Sequence, residues 1–390
     1  MTWRARASSG PLNGVKVIDI TTVVFGPFAT QVLGDLGADV LKVEHGEGDV
    51  MRGAGRSPAD GLGPIYINLN RNKRSVELDL SQDQAKEQLR GLVREADVFL
   101  HNIREVGMER LGFGYNAVRE LKPDIVYVHC CGFGKGGAYE GRQAYDDLVQ
   151  AASGLAGLLP ISDGMAPKYL PTLIADKTAG LYAAYATIAA LFHRERTGEG
   201  QAVAVPMLEA VTHLNMVENL YGHTFVPPTE NLAYTRSINP RRKPFPTKDG
   251  YIAIVPYSEK QWETFFELGG RPGVFDDERF REYKKRTENI GELYEIIEEV
   301  AVGKTTDEWL DILDRSNIPA MRYNPIDNVP DDPHLASVNF FEEREHPEAG
   351  LYRSIKHPVS FSRTPADIRN DARQIGADTE EVLGFRPKSS

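Results

Sequence analysis

Through the first 135 residues, apolar and polar positions alternate between two periods, short β-rich runs being followed by longer stretches of helical spacing. VKVIDI reads as a strand, residues 27–36 as a helix with Pro27 in its first turn, and DVLKVE as a second strand. SVELDL continues the series. It is followed by a helix opened by Ser81 with Gln84 three residues on, the spacing of a capping box. Then come the strand DVFLHN, a helix near residues 115–121 and the strand DIVYVHC. This alternation predicts an α/β fold with a mainly parallel sheet and helices on both faces. Ligands of such sheets bind beyond the carboxyl ends of the strands, so the loops after Ile20, Glu44, Asn102 and Cys131 are the places to search.

A dinucleotide-binding fold is the obvious competitor and fits poorly. After the first strand the chain reads TTVVFGPFATQ, with no glycine triplet to let pyrophosphate approach the backbone. GFGKGG at 132–137 has the glycines but no long helix directly after it, and reads as a loop.

Farther along, a helix is predicted over about 145–159, then a loop through ISDGMAPKYLP, a long helix in LPTLIADKTAGLYAAYATIAALFHRERTGEG and a strand in AVAVPM. The character changes near Gly222. VPPTE and SINPRRKPFPTKDG are loop-like, YIAIVP is a strand, and helices starting near Gln261, Ile290 and Thr305 form a more acidic α+β unit. Thr305 and Glu308 fit a capping box. From about Asp331 the chain is proline-punctuated and reads as irregular, ending in a short helix at TEEVLGF. The organisation expected is a large domain over 1–221, a small one over 222–331 and a segment, 332–390, returning to the large domain.

Composition narrows the chemistry. The 390 residues carry 45 basic and 56 acidic side chains, a formal net charge of −11. That field repels nucleic acid and anionic membrane surfaces, so an anionic small ligand needs a local basic pocket. The longest apolar run, 179–192, is too short to cross a bilayer. The first ten residues lack the apolar core of a secretory signal, which makes the cytoplasm the expected location. The two cysteines, Cys130 and Cys131, are neighbours, which argues against a disulfide scaffold or a cysteine metal site.

Asp176 is the most suggestive residue. It heads the long helix, with no further acid until Glu195, and is followed by small residues including Ala179, Gly180, Ala183 and Ala184 that allow close packing. One account is an N-cap that satisfies free amides and complements the helix dipole. The other is a nucleophile: a carboxylate at a helix N-terminus stays ionised at neutral pH and, if desolvated beside a thioester, can attack it. The anhydride formed would be destroyed by water, so that site must be dry.

LNGVKVIDIT, GPFATQVLGDLGADVLKVE, INLNRNKRSVELDL, ADVFLHN, ERLGFGY, QAYDDLVQAASG, LIADKTAGLYAAYATIAAL and RTGEGQAVAVPMLEA, in that order, resemble the class III coenzyme A-transferases, the CaiB/BaiF family that includes formyl-CoA:oxalate CoA-transferase. The likeness covers nearly all of 11–220 and, more weakly, the remainder. It implies a Rossmann-like large domain, an interlocked homodimer, no metal and no permanently bound cofactor. Acyl-CoA and a small carboxylic acid would be the substrates. Asp176 would be the nucleophile, passing through an aspartyl–acyl anhydride and an aspartyl-CoA thioester. Tyr145 and Asp146 would stand beside it; in the related acyl-CoA racemases this place resembles a His-Asp pair, and tyrosine, with its high pKa, is a poor substitute in α-proton transfer.

The resemblance also implies a CoA path: Val23, Val24 and Phe25 near the thiol, Asn102 and Ile103 near the pantetheine or adenosine, with His45, Leu78, Arg104, Arg110, Arg142, Gln143 and Ala144 completing it. Val24 stands where a glutamine, and His45 where an arginine, is found in formyl-CoA:oxalate CoA-transferase. Arg241, Arg242 and Lys243 replace a glycine-rich covering loop and are candidates to hold a second carboxylate of a dicarboxylic acceptor; an exposed basic loop is the simpler account. An acyl-CoA racemase and a non-catalytic acyl-CoA-binding protein remain as alternatives.

Overall fold

The computed structural model describes residues 3–384, so Phe385, the last residue of the predicted TEEVLGF helix, lies outside the described residues. The β-rich runs form six strands: β1 (Lys16–Ile20), β2 (Asp39–Glu44), β3 (Lys73–Glu77), β4 (Val98–His101), β5 (Val126–Cys131) and β6 (Gln201–Pro206). Every pairing among them is parallel, in the order β3-β2-β1-β4-β5-β6. That order reverses direction between β1 and β4, which opens a crevice at their carboxyl ends.

Period-2 alternation along the strands decides which helices cover which face. Ile18, Leu41, Val76, Phe99 and Tyr127 join Leu89, Met108 and Val118 of the helices Asp83–Val93, Glu105–Leu111 and Tyr115–Leu121 in one buried cluster. The helices Phe25–Asp35 and Ile174–Thr197 pack closely on each other and on the same sheet. Their approach is close because Gly180 has no side chain: a Cβ there would stand 2.9 Å from the Phe25 carbonyl oxygen and 3.0 Å from the Phe28 ring.

The chain divides into two compact units. One comprises the residues up to Gly154, Tyr169–Leu214 and those from Ser337 onward; the other comprises Leu155–Lys168 and Asn215–Ala336. The second has an antiparallel sheet of β7 (Phe245–Pro246), β8 (Tyr251–Ile254) and β9 (Ala320–Arg322). Its core is built from Phe265, Phe266, Leu293, Ile297, Trp309 and Leu313. The Thr305–Glu308 capping box is present, and a second one, Ser258–Gln261, starts its helix at Glu259, two residues before the predicted Gln261.

Three expectations are corrected. The helix predicted from Ser81 begins at Asp83 with Gln82 at its N-cap and no side-chain cap, because the Ser81 amide is already held by Asp79 Oδ1 at 2.9 Å. The helix predicted over 145–159 ends at Ala152, where Gly154 turns the chain with φ +79°, and a separate helix spans Leu158–Asp163. The tail is not irregular throughout: β10 (Phe341–His346) and β11 (Gly350–Ile355) form an antiparallel hairpin.

The last described residues seal the outer edge of β3. The Ser75 amide donates to Asp378 Oδ2 (2.9 Å), the Asp378 amide returns a bond to the Ser75 carbonyl (2.9 Å), and the Glu77 amide donates to Thr379 Oγ1 (3.0 Å). An otherwise open strand edge is thereby covered.

Candidate active site

A cavity of about 1280 Å³ lies at the carboxyl ends of β1, β4 and β5, where the strand order reverses. It exceeds the roughly 300–1,000 Å³ of ordinary small-molecule clefts and suits a long ligand. Three of the four loops singled out from sequence reach it, those after Ile20, Asn102 and Cys131. Among the proposed site residues, Val23, Phe25, Asn102, Ile103, Arg104, Arg110, Arg142, Gln143, Ala144, Tyr145 and Asp176 line it. The remainder lie elsewhere. Val24 and Leu78 are buried, Leu78 in the core cluster beneath the sheet. His45, in the loop after β2, is exposed with its Nε2 3.6 Å from Asp79. Asp146 is buried close to the Asp176 amide.

Asp176 is the third residue of the helix Ile174–Thr197, and Leu173 occupies the N-cap, so the capping account of Asp176 does not hold. The cap comes from another helix: Asp146 Oδ2 accepts from the amides of Ala175 (2.8 Å) and Asp176 (3.0 Å). Gln150, one turn after Asp146, donates to Asp146 Oδ1 (2.6 Å) and accepts from the Leu170 amide (2.9 Å), fixing the capping carboxylate from behind. The Asp176 side chain, relieved of capping, is 7% exposed at the cavity wall and has no hydrogen-bond partner among the described residues. Burial, reinforced by the negative charge of Asp146, pushes its pKa up to about 7. The expectation of a carboxylate that stays ionised at neutral pH is corrected accordingly, burial being the larger cause and the charge of Asp146, which also occupies the nearest amides, the second.

Tyr145 is 59% exposed, its side chain at the cavity and its backbone extended just before the helix Asp146–Ala152. Arg104, Arg110 and Arg142 are exposed at the lining, with the Arg142 guanidinium 4.8 Å from the centre of the Tyr139 ring. Arg241 and Lys243, in the second unit, are paired with Glu295 and Glu298.

Several lining residues were not anticipated, notably Thr22, His101, Tyr127, His129 and Lys135. The histidines stack with ring centres 4.6 Å apart. His101 Nδ1 lies 3.1 Å from the Ile103 carbonyl, which can only accept, so that nitrogen carries the proton. Burial first, then His129, holds the His101 pKa down to about 3, which keeps the ring neutral. Their position at the ends of consecutive strands was the available signal. Cys131 also reaches the cavity, where burial raises its thiol to about 11 and keeps it protonated. The described residues contain no cluster suited to a metal ion and no helix long and apolar enough to cross a membrane.

Comparison with known proteins places this geometry. The chain is 34% identical over 343 residues to the "Probable fatty acyl-CoA transferase Rv3272" of Mycobacterium tuberculosis, covering 84% of this chain and 86% of that protein. The crystal structure of Rv3272 superposes with a TM-score of 0.83 at 31% identity, covering 96% and 99% of the two chains. A succinate–glutarate CoA-transferase of Agrobacterium fabrum is 30% identical (96% and 95% covered), and a formyl-CoA:oxalate CoA-transferase of Streptomyces coelicolor 31% identical (95% and 94%). The family description "CoA-transferase family III" matches residues 12–379, and with the fold and the cavity it identifies this chain as an enzyme of CoA-transferase family III.

Proposed function

We propose that the protein moves coenzyme A from an acyl-CoA donor to a carboxylic acid acceptor through covalent intermediates on Asp176. One observation carries this reading: a carboxylate without a hydrogen-bond partner among the described residues, buried at the wall of a long cavity and with its pKa raised to about 7. Such a group is more basic, and so more nucleophilic, than a solvated carboxylate, while still available in ionised form near neutrality.

The Asp176 carboxylate attacks the thioester carbonyl of the donor, forming a mixed anhydride and expelling CoA as thiolate. The thiolate then attacks the aspartyl carbonyl, releasing the donor acid and leaving CoA as a thioester on Asp176. The acceptor carboxylate displaces the thiolate to form a second anhydride. Attack of the thiolate on the acceptor's carbonyl releases the new acyl-CoA and regenerates Asp176. Each exchange joins acyl derivatives of comparable energy, so no separate base is required. Low exposure of Asp176 protects both anhydrides from water. Tyr145 borders the reacting groups, and Arg104, Arg110 and Arg142 supply positive charge for the nucleotide phosphates of CoA. A homodimer belongs to the same reading, supported by the exposed Leu181, Tyr185 and Phe192 along one side of the long helix.

The test is incubation with a panel of acyl-CoAs and carboxylic acids, followed by mass spectrometry of the peptide containing Asp176. A CoA adduct on that peptide, lost together with turnover in Asp176→Ala, is the expected result. Turnover that persists in the variant, or deuterium exchange at the α-carbon without any acceptor, would overturn it.

A further inference from the structure

The loop after β1 is gripped from two neighbouring strands at once, by Asn102 just past β4 and by Lys42 of β2 together with Asp49 in the segment that follows β2. Asn102, just past β4, reaches across to Thr22 and satisfies both sides of its backbone: the Thr22 amide donates to Asn102 Oδ1 (3.2 Å) and Asn102 Nδ2 donates to the Thr22 carbonyl (2.9 Å). On one side of Thr22, the buried Lys42 of β2 donates from Nζ to the Thr21 carbonyl (2.8 Å). On the other, Asp49 accepts from the Val23 amide (3.1 Å). Lys42 and Asp49 are themselves joined at 3.1 Å with both side chains out of solvent.

These bonds hold an unfavourable conformation. Val23 has φ +73°, a left-handed backbone that a β-branched residue adopts only when its surroundings hold it there. Thr22, Val23 and Phe25 line the same cavity as Asp176, and the Phe25 carbonyl lies against Gly180, one turn beyond Asp176.

We infer that Asn102 is a positioning residue rather than a CoA contact: its amide, together with Asp49, locks the Thr22–Val23 turn so that this wall stays closed beside Asp176. The inference rests on the proposed covalent chemistry, and gives the turn a specific task. With the wall closed, the anhydride carbonyl meets only the CoA thiolate or an acceptor carboxylate. With it loose, water attacks the acyl carbonyl of the anhydride, releasing the free acid, returning Asp176 as carboxylate and letting CoA leave as the thiol.

The test compares wild type, Asn102→Ala, Asn102→Asp and Asp49→Asn for kcat and KM with one acyl-CoA, and for acyl-CoA hydrolysis relative to transfer, well below each Tm. Asn102→Ala is expected to lower kcat by roughly tenfold to a hundredfold, leave KM for acyl-CoA within about twofold, and raise the hydrolysed fraction. Asp49→Asn should move both quantities in the same direction. Asn102→Asp, which can still accept from the Thr22 amide, should fall between Asn102→Ala and wild type. A raised KM with unchanged kcat would make Asn102 a ligand contact and overturn the inference, as would an unaltered hydrolysed fraction in an active enzyme. Failure of the wild type to form the Asp176 adduct would instead sink the proposed function.

Discussion

Asp146 Oδ2 accepts a hydrogen bond from the Asp176 amide at 3.0 Å, so one carboxylate occupies the helix terminus that would otherwise stabilise the charge of the other. The amides at the head of the helix Ile174–Thr197 are occupied, and the Asp176 carboxyl faces burial and a like charge together. Basicity is thus built into Asp176 first by its burial and then by the charge of Asp146.

A pH dependence follows. Ionised Asp176 is the reactive form, so kcat/KM for the acyl-CoA half-reaction should rise with pH through about 7. Replacing Asp146 with Asn removes the negative charge that opposes ionisation, and the rising limb should move to lower pH. Burial remains the larger cause, so the limb should stay above the ordinary carboxylate range. Stopped-flow measurement of thiolate release across pH 5–9 checks both statements, and a limb that does not move in Asp146→Asn would refute the electrostatic role.

Stability should carry the same signature with a defined sign. Between the ordinary carboxylate pKa near 4 and about 7, the folded protein holds the Asp176 proton more tightly than the unfolded chain, so stability falls as pH rises through that window. At about 1.4 kcal/mol per pKa unit, the full effect is at most on the order of 4 kcal/mol. Asp176→Asn lacks this component. Its Tm relative to wild type should climb from pH 5 to pH 8, and a constant difference in calorimetry would disprove the proton linkage.

Gly180→Ala should couple packing to chemistry. The added methyl meets the Phe25 carbonyl and the Phe28 ring at 3.0 Å or less, forcing the two helices apart. A loss of roughly 1–3 kcal/mol in urea unfolding is expected, together with a reduced kcat because Phe25 borders the cavity. Wild-type stability and turnover in this variant would contradict the close contact.

Arg110→Met should distinguish the two halves of the ligand. Losing a charge-assisted phosphate bond of about 1.5–3 kcal/mol should raise KM for acyl-CoA by roughly tenfold or more. Acyl-pantetheine, which lacks the nucleotide, should be used equally by variant and wild type. An equal loss for both substrates would place Arg110 elsewhere along the ligand.

The parts legible in the sequence were those governed by local periodicity. The six strands, the crevice at their carboxyl ends and the Thr305–Glu308 cap all follow from patterns within a few residues. What escaped was set by residues distant in the chain. Asp176 looked like its own helix's cap because the group that caps it lies 30 positions earlier. The bonds between the Asn102 side-chain amide and Thr22, 80 positions away, likewise had no local signal. His101 and His129 gave no periodic signal, and became neighbours only when β4 paired with β5 in register. The β10–β11 hairpin escaped because charged residues fill most of the FEEREH strand.

The bonds from Asp378 and Thr379 to Ser75 and Glu77 join positions about 300 residues apart. While the chain is being synthesised, the rim of β3 therefore remains uncovered until Asp378 and Thr379 have left the ribosome. Until then the nascent polypeptide presents a strand edge open to wrong pairing. The intervening residues 215–336 have their own core and can organise during that wait.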